Sequence, residues 1–432
     1  MSQRHYLGAM LAFAVSLATA AVPSVASAQE RSACVAVNRA NLIDCALKAS
    51  LSLRSEAWAT QAAEGRLQAA SPWLPSNPVL AFALAHREEI GGQRSDQNWT
   101  AGLSQELEIA GQRGTRRAVA SAELDAAKQH HSLVMREVAA AAWTAYFQAL
   151  AARESEQAAT RLEAAMTAIA LAFRGISAQG LASGVDADLA QVAALNAQQG
   201  RRAAERRRVV ADIELATALG VEPEAASAFG VAGDLAPLSV SDTAGVPALP
   251  DNTRPELAIL QAERQAFQAR ASTLRRARVP NVTLNVFAQR DGFAERVYGV
   301  GLALPLPLPY PVGRTYAGEI REAEALAQQV ETEVQRTQRE LRGNLAIARA
   351  EYLSRLAALQ TFTPERLAQA EQTLHDTAEQ VSAGRIGIRD AIFAERTLIE
   401  FLDTNIEARR AICLASVALA RAAGMALERG AQ

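Results

Sequence analysis

A chain of 432 residues can form more than one folding unit, and its 44 basic and 46 acidic side chains nearly cancel. That near-neutral balance argues against nucleic acid as a partner. Half of the residues are hydrophobic but only 5% are aromatic, which suits long, closely packed, alanine-rich helices.

Residues 1–28 read as an export signal. Arg4 and His5 precede an apolar run from Ala9 to Val22, Pro23 breaks it, and Ala26-Ser27-Ala28 offers small residues for cleavage before Gln29. The run is too short for a bilayer span, and no later stretch keeps ~18 uninterrupted apolar residues. Ile412–Met425 contains Arg421 and reads as a buried helix. The mature chain is therefore expected to be exported, without a membrane-spanning helix. Export permits a disulfide between Cys34 and Cys45, which their spacing alone does not establish. Arg31 stands where a lipoprotein signal wants an aliphatic residue before Cys34, and Cys413 reads as a packed side chain.

The rest of the chain repeats itself. Gly180, Asp186 and Ala190 match Gly384, Asp390 and Ala394, and without a gap Arg206, Leu215 and Gly220 meet Arg410, Leu419 and Gly424. Arg54-Ser-Glu56 parallels Arg254-Pro-Glu256 further upstream. Two structural repeats follow, 29–235 and 236–432. Each is expected to run helix, strand, strand, very long helix, tight turn, helix.

In repeat one, Leu80, Phe82 and Leu84 alternate with alanines, a polar loop follows, and alternation resumes at Trp99, Ala101, Leu103, Gln105 and Leu107. These predict strands over 79–87 and 98–108. From about Gly114 to Arg174 the chain reads as one long helix, then a tip turn over 175–186 and a returning helix. In repeat two, Thr253 and Pro255 suit a helix start, and Leu260, Phe267 and Leu274 recur every seven residues. Alternation predicts strands over 281–290 and 297–307, each long enough to cross a bilayer at a tilt. An ordinary soluble sheet with one buried face would alternate in the same way. The helices separate the two readings. Ala327, Val334, Leu341 and Ala348 fall at heptad spacing within a helix reaching toward Ala383, and Thr363-Pro364-Glu365 predicts a kink in it. The tip turn lies over 382–390. Helices this long must lie against partner helices as coiled coil.

Four membrane-length strands cannot close a barrel alone, and an open edge in lipid leaves backbone groups unpaired. The sheet is therefore expected to close with other copies. Two copies would give eight strands and three would give twelve; three also give a ring of twelve long helices, wide enough to enclose a passage.

Several stretches are similar to one family. They are Leu74-Pro-Ser-Asn-Pro-Val-Leu80, Leu103-Ser-Gln-Glu-Leu-Glu-Ile-Ala-Gly-Gln-Arg-Gly114, Arg254-Pro-Glu-Leu257, Leu304-Pro-Leu-Pro307 and Ala383-Gly-Arg-Ile386. In this order the chain resembles the TolC-type outer-membrane efflux proteins over its whole mature length. The Gly111-Gln-Arg-Gly114 turn and the placing of Pro364 before Gly384 look most like the CzcC-like, heavy-metal efflux branch. The resemblance implies a mainly α protein with a transmembrane β part: a homotrimer forming a 12-stranded β-barrel in outer-membrane lipid on a long α-helical coiled-coil barrel in the periplasm. It implies the exit duct of a tripartite pump, working with a periplasmic adaptor (membrane fusion protein) and an inner-membrane RND-type pump and passing heavy-metal cations. Drug efflux or type I protein secretion would use the same duct. A periplasmic adaptor without a pore is the different-class alternative, but it would carry one helical hairpin between compact β domains. The segment 222–251 is expected on the outside near the waist.

A conduit needs no catalytic residue and no cofactor, and none is expected. The tip turns, Gly180, Leu181, Ala182 and Ser183 with Gly384, Arg385, Ile386 and Gly387, are the expected adaptor docking surface. The resemblance places Asp390 at a pore constriction, where three carboxylates would favour cations. The family's second acid, one turn on, is replaced by Phe393. The same Asp390 could simply complement the helix dipole. No metal site is expected: His130 and His131 point in different directions, and His375 with Glu379 reads as a solvated helix face.

Overall fold

Alternating apolar residues, heptad-spaced alanines and two glycine-bearing turns shape the computed structural model, which describes residues 36–88, 95–180, 183–222, 230–239, 254–291, 295–383 and 385–427. The side chains of 371, 374, 375, 378 and 382 lie outside that description, as do the signal segment and Cys34. The described residues form one unit within Val35–Gln432.

The chain opens with a two-residue strand, β1 (Ala36–Val37), and helices α1 (Leu42–Ala49) and α2 (Leu51–Ala69). Ser50 separates the helices: its extended backbone ends the first, and its hydroxyl accepts from the Leu53 N–H at 3.2 Å to cap the second. Cys45 is buried in α1 and is not a free thiol, whereas Cys413 is free and buried. Strands β2 (Val79–Glu88) and β3 (Ser95–Leu107) lead into α3 (Gln112–Ala178), whose 67 residues span about 100 Å at ~1.5 Å each. Helix α4 (Gly184–Ala218) returns along it, and β4 (Gly230–Val231) pairs in parallel with β1.

Repeat two follows as α5 (Pro255–Arg276), β5 (Val282–Asp291), β6 (Glu295–Ala303), α6 (Ala317–Leu359), α7 (Pro364–Ser382) and α8 (Ile388–Ala423). Thr253 lies outside the described residues; the cap of α5 is Arg254, with Pro255 in the first turn. The Arg254 guanidinium donates to the Ala422 carbonyl at 2.5 Å, tying the start of the repeat to its end. The kink expected near Thr363 is a full break between α6 and α7. Thr363 accepts from the Arg366 N–H, and Pro364 takes the first-turn position where its missing N–H costs nothing. Heptad positions Ala327, Val334 and Tyr352 are buried along α6, the last with Ile412 and Leu419 of α8.

The waist is fixed by aromatics. Trp143, Tyr146 and Phe147 on α3 are fully buried, with Trp143 stacked on Phe147 at 5.6 Å. Tyr146 Oη donates to the Ala232 carbonyl at 2.8 Å. Arg39 lies over the Trp143 ring and donates to the carbonyls of Ala236 and Pro237. The Leu238 N–H donates to Ser416 Oγ at 3.0 Å. The described part of the inter-repeat segment is thus held against α3 and α8.

The four long strands form one antiparallel sheet in the order β2-β3-β5-β6. Its register sorts the side chains cleanly. One face carries the rows Leu80–Leu103–Val286–Val300 and Phe82–Ala101–Ala288–Tyr298, with Leu284 and Leu302 beside them. The other face carries Ala83–Thr100–Gln289–Val297 and Ala81–Gly102–Phe287–Gly299. In the last row Phe287 lies over Gly299, where an added Cβ would run into its ring. Strand β6 stops at Ala303, short of the expected 307, because Pro305 and Pro307 cannot donate to a ladder.

Candidate functional site

The end of the molecule remote from the sheet holds both helical turns. Gly180, at φ +72°, ends α3 in a left-handed conformation that a Cβ would strain. Ser183 caps α4: its Oγ accepts from the Asp186 N–H at 3.1 Å and donates to Asp186 Oδ2 at 2.8 Å. Leu181 and Ala182 lie outside the described residues, as does Gly384 in the second turn. There the Arg385 N–H reaches back to the Gln380 carbonyl at 2.9 Å, closing the end of α7. Gly387 begins α8 in an extended conformation and has no side chain to cap it.

The two turns share a core. Met166, Ile169, Ala170 and Phe173 of α3, Ala190, Ala194 and Ala197 of α4, Val381 of α7, and Ile388 and Ala391 of α8 pack together, with Ile386 partly buried against them. Ile386 is therefore partly spent on packing, whereas Ser183, Arg385 and Gly387 are exposed.

Asp390 and Phe393, three residues apart, share the outer face of α8. Asp390 is exposed and has neither hydrogen bond nor ion pair among the described residues, unlike Asp186, which Ser183 engages. Phe393 is 71% exposed, unusual for a phenylalanine, and its ring has no aromatic partner among the described residues. The inner face carries a residue that periodicity did not single out. Glu395 is 1% exposed, neither carboxylate oxygen has a hydrogen-bond partner among the described residues, and burial pushes its pKa up to about 7. Its seven-residue spacing from Ile388, on the stripe that buries Ala391, was the available signal.

Among the described residues, no group of three His, Cys, Asp or Glu could hold a metal ion. His130 Nδ1 lies 3.3 Å from Glu56 Oε2. The His375–Glu379 pair falls partly outside the described residues. Among those residues, no helix is long and apolar enough to cross a membrane.

Among the described residues, the sheet ends on two open edges. Strands β2 and β6 pair on one side only. Helices follow the same chain order, α2 packing on α3, α3 on α5, and α5 on α6. The apolar sheet face is uncovered: Leu80, Phe82, Tyr298, Val300 and Leu302 are each more than 60% exposed.

Residues 42–221 match the family model described as outer membrane efflux protein. No curated protein matches the chain. Among solved structures, a membrane protein from Pseudomonas aeruginosa is similar at 19% identity and TM-score 0.74, over 89% of this chain and 92% of that one. The outer membrane protein VceC of Vibrio cholerae is similar at 18% identity and TM-score 0.72, over 90% and 96%. The open-state outer membrane channel MtrE of Neisseria gonorrhoeae is similar at 17% identity and TM-score 0.71, over 91% and 90%. At these identities the likeness shows the fold.

Proposed function

We propose that the chain is a member of the outer membrane efflux protein family, whose model matches residues 42–221, and that it is the exit duct of a tripartite pump, working as a homotrimer. The observation that carries this reading is the uncovered apolar face on a sheet with two free edges. Water would tolerate neither the face nor the edges. Lipid covers the first, and neighbouring copies pair the second. The helices support the same closure, because the packing order α2-α3-α5-α6 parallels the strand order β2-β3-β5-β6. One rotation therefore seals both layers, and three copies supply twelve strands.

The tip turns are the docking surface for a periplasmic adaptor, through Gly180, Leu181, Ala182 and Ser183 and through Gly384, Arg385 and Gly387, with Ile386 also supporting the tip core. An inner-membrane RND-type pump would feed the duct from below. The cargo is heavy-metal cations, a reading supported by the likeness of Gly111-Gln-Arg-Gly114 to the CzcC-like branch and by the free carboxylate of Asp390. Three such groups around an axis would attract cations and turn anions back, with Phe393 narrowing the same level.

Extraction from outer membranes should require detergent, yield a heat-modifiable trimer and give conducting channels in planar bilayers. A water-soluble monomer would sink the reading. Within those channels, Asp390→Ala should lower cation over anion permeability severalfold; unchanged selectivity would remove the carboxylate ring and leave the duct. Metal sensitivity of a deletion strain, without drug sensitivity, would favour the metal cargo.

A further inference from the structure

We propose that Glu395 is a proton-dependent latch that seats the second tip hairpin, α7–α8, on the first hairpin, α3–α4. The inner stripe of α8 runs Ile388, Ala391, Glu395 and Leu402, all buried. Its first two members enter the shared tip core with Met166, Phe173, Ala190 and Val381. Glu395 is the next position on that stripe, yet both of its oxygens are buried and, among the described residues, without a partner. By the repeat correspondence that pairs Asp186 with Asp390, Glu395 matches Gln191, an amide that accepts from Arg174. Repeat one thus holds a satisfied neutral group where repeat two holds an unsatisfied acid. Its burial is complete within one protomer, so a neighbouring copy has no path by which to supply a cation.

Among the described residues, no charged group is paired with it. On α8 itself, Arg389, Asp390, Arg396 and Glu400 lie on the exposed side. On α3, Arg161 is exposed, Glu163 pairs with Arg201, and Arg174 is taken by Gln191. On α4, Asp188 is exposed; on α7, Asp376 accepts from Gln372 and Glu379 is exposed. The side chain of His375 lies outside the described residues. Burial raises its pKa to about 7.

The sign follows from that cause. With the hairpin unseated and the carboxyl in water, Glu395 would ionise near its ordinary 4.5; seated, it stays neutral up to about 7. Seating is therefore undiminished below about 4.5, weakens as pH rises toward 7, and stays weak above that. The unseated fraction can grow by roughly two orders of magnitude across this window. The break between α6 and α7 gives the hairpin a place to bend. Only the consequence, a duct whose tip loosens toward neutral pH, rests on the channel reading.

Amide exchange on the full-length protein in detergent, corrected for chemical exchange, tests the latch at pH 5 and pH 8. Protection of 377–383 and 388–395 should fall at least tenfold at the higher pH, while 139–151 at the waist stays protected. Glu395→Gln should hold its protection constant across both pH values, with Glu395→Leu as a second neutral variant should the first misfold. Wild-type protection that does not change with pH would overturn the latch. So would a loss retained in both neutral variants, or one abolished by His375→Ala instead. None of these readings requires conductance, so a failed latch and a failed channel are distinguishable.

Discussion

Val300→Arg should abolish outer-membrane assembly. Val300 sits on the edge strand β6 in the row Leu80–Leu103–Val286–Val300, and 71% of it is exposed in the single chain. If that row faces lipid, an arginine there costs about 2–4 kcal/mol per copy near the bilayer midplane, and a trimer bears the cost three times. Heat-modifiable trimer should vanish from the outer-membrane fraction. Thr100→Arg provides the control: Thr100 lies one residue out of phase, in the row Ala83–Thr100–Gln289–Val297 on the opposite, more polar face. That variant should still assemble, because a lumen-facing arginine can stay hydrated. Trimer that survives Val300→Arg, or that is lost equally in both variants, would remove the assignment of the apolar face to lipid.

The same alternation explains how much of the sheet could be read without coordinates. A strand with one unbroken apolar side shows it at period two, so Leu80, Phe82 and Leu84 or Val300, Leu302 and Leu304 announce themselves. Its limits were harder to read. Strand β3 begins at Ser95, earlier than the alternation implies, because it continues pairing with His86, Arg87 and Glu88 beyond the apolar band. Those residues pair through their backbones, and polar side chains give no period to detect.

The helices were legible for a different reason. Alanines at heptad spacing and the absence of interior proline leave few alternatives for α3 and α6, and Thr363-Pro364 carries its own local stop and start. The small elements at the waist had no such signature. Strands β1 and β4 have two residues each, and they come from segments nearly two hundred positions apart. What holds them is long-range: Arg39 on two carbonyls, Tyr146 on a third, and a buried Ser416 hydroxyl. Glu395 escaped notice because a glutamate on an apolar stripe normally extends to solvent. Only the packing of four helices at the tip shows that this one does not.

Asp212→Ala should cost about 3–5 kcal/mol of stability, the penalty for removing the buried member of a charge network. Asp212 is 4% exposed within α4, in a stretch whose sequence reads as a solvated charged face, Arg201 through Arg208. Its Oδ1 takes Arg153 of α3 at 3.0 Å, and its Oδ2 takes Arg208 at 2.8 Å. Arg208 also pairs with Glu156 at 2.7 Å, while Arg153 donates to the Val231 carbonyl at 3.1 Å. One carboxylate thus joins the two helices of the first hairpin, and through Arg153 it anchors β4 at the waist. Removing it leaves two guanidinium groups competing for what remains. Glu156 can satisfy Arg208, while Arg153 keeps its bond to the Val231 carbonyl but loses the carboxylate that ties it to α4. Thermal unfolding should therefore show a large loss in Asp212→Ala. A loss below about 1 kcal/mol would mean that water already reaches these charges, and that the network sets the pairing of the helices without stabilising them.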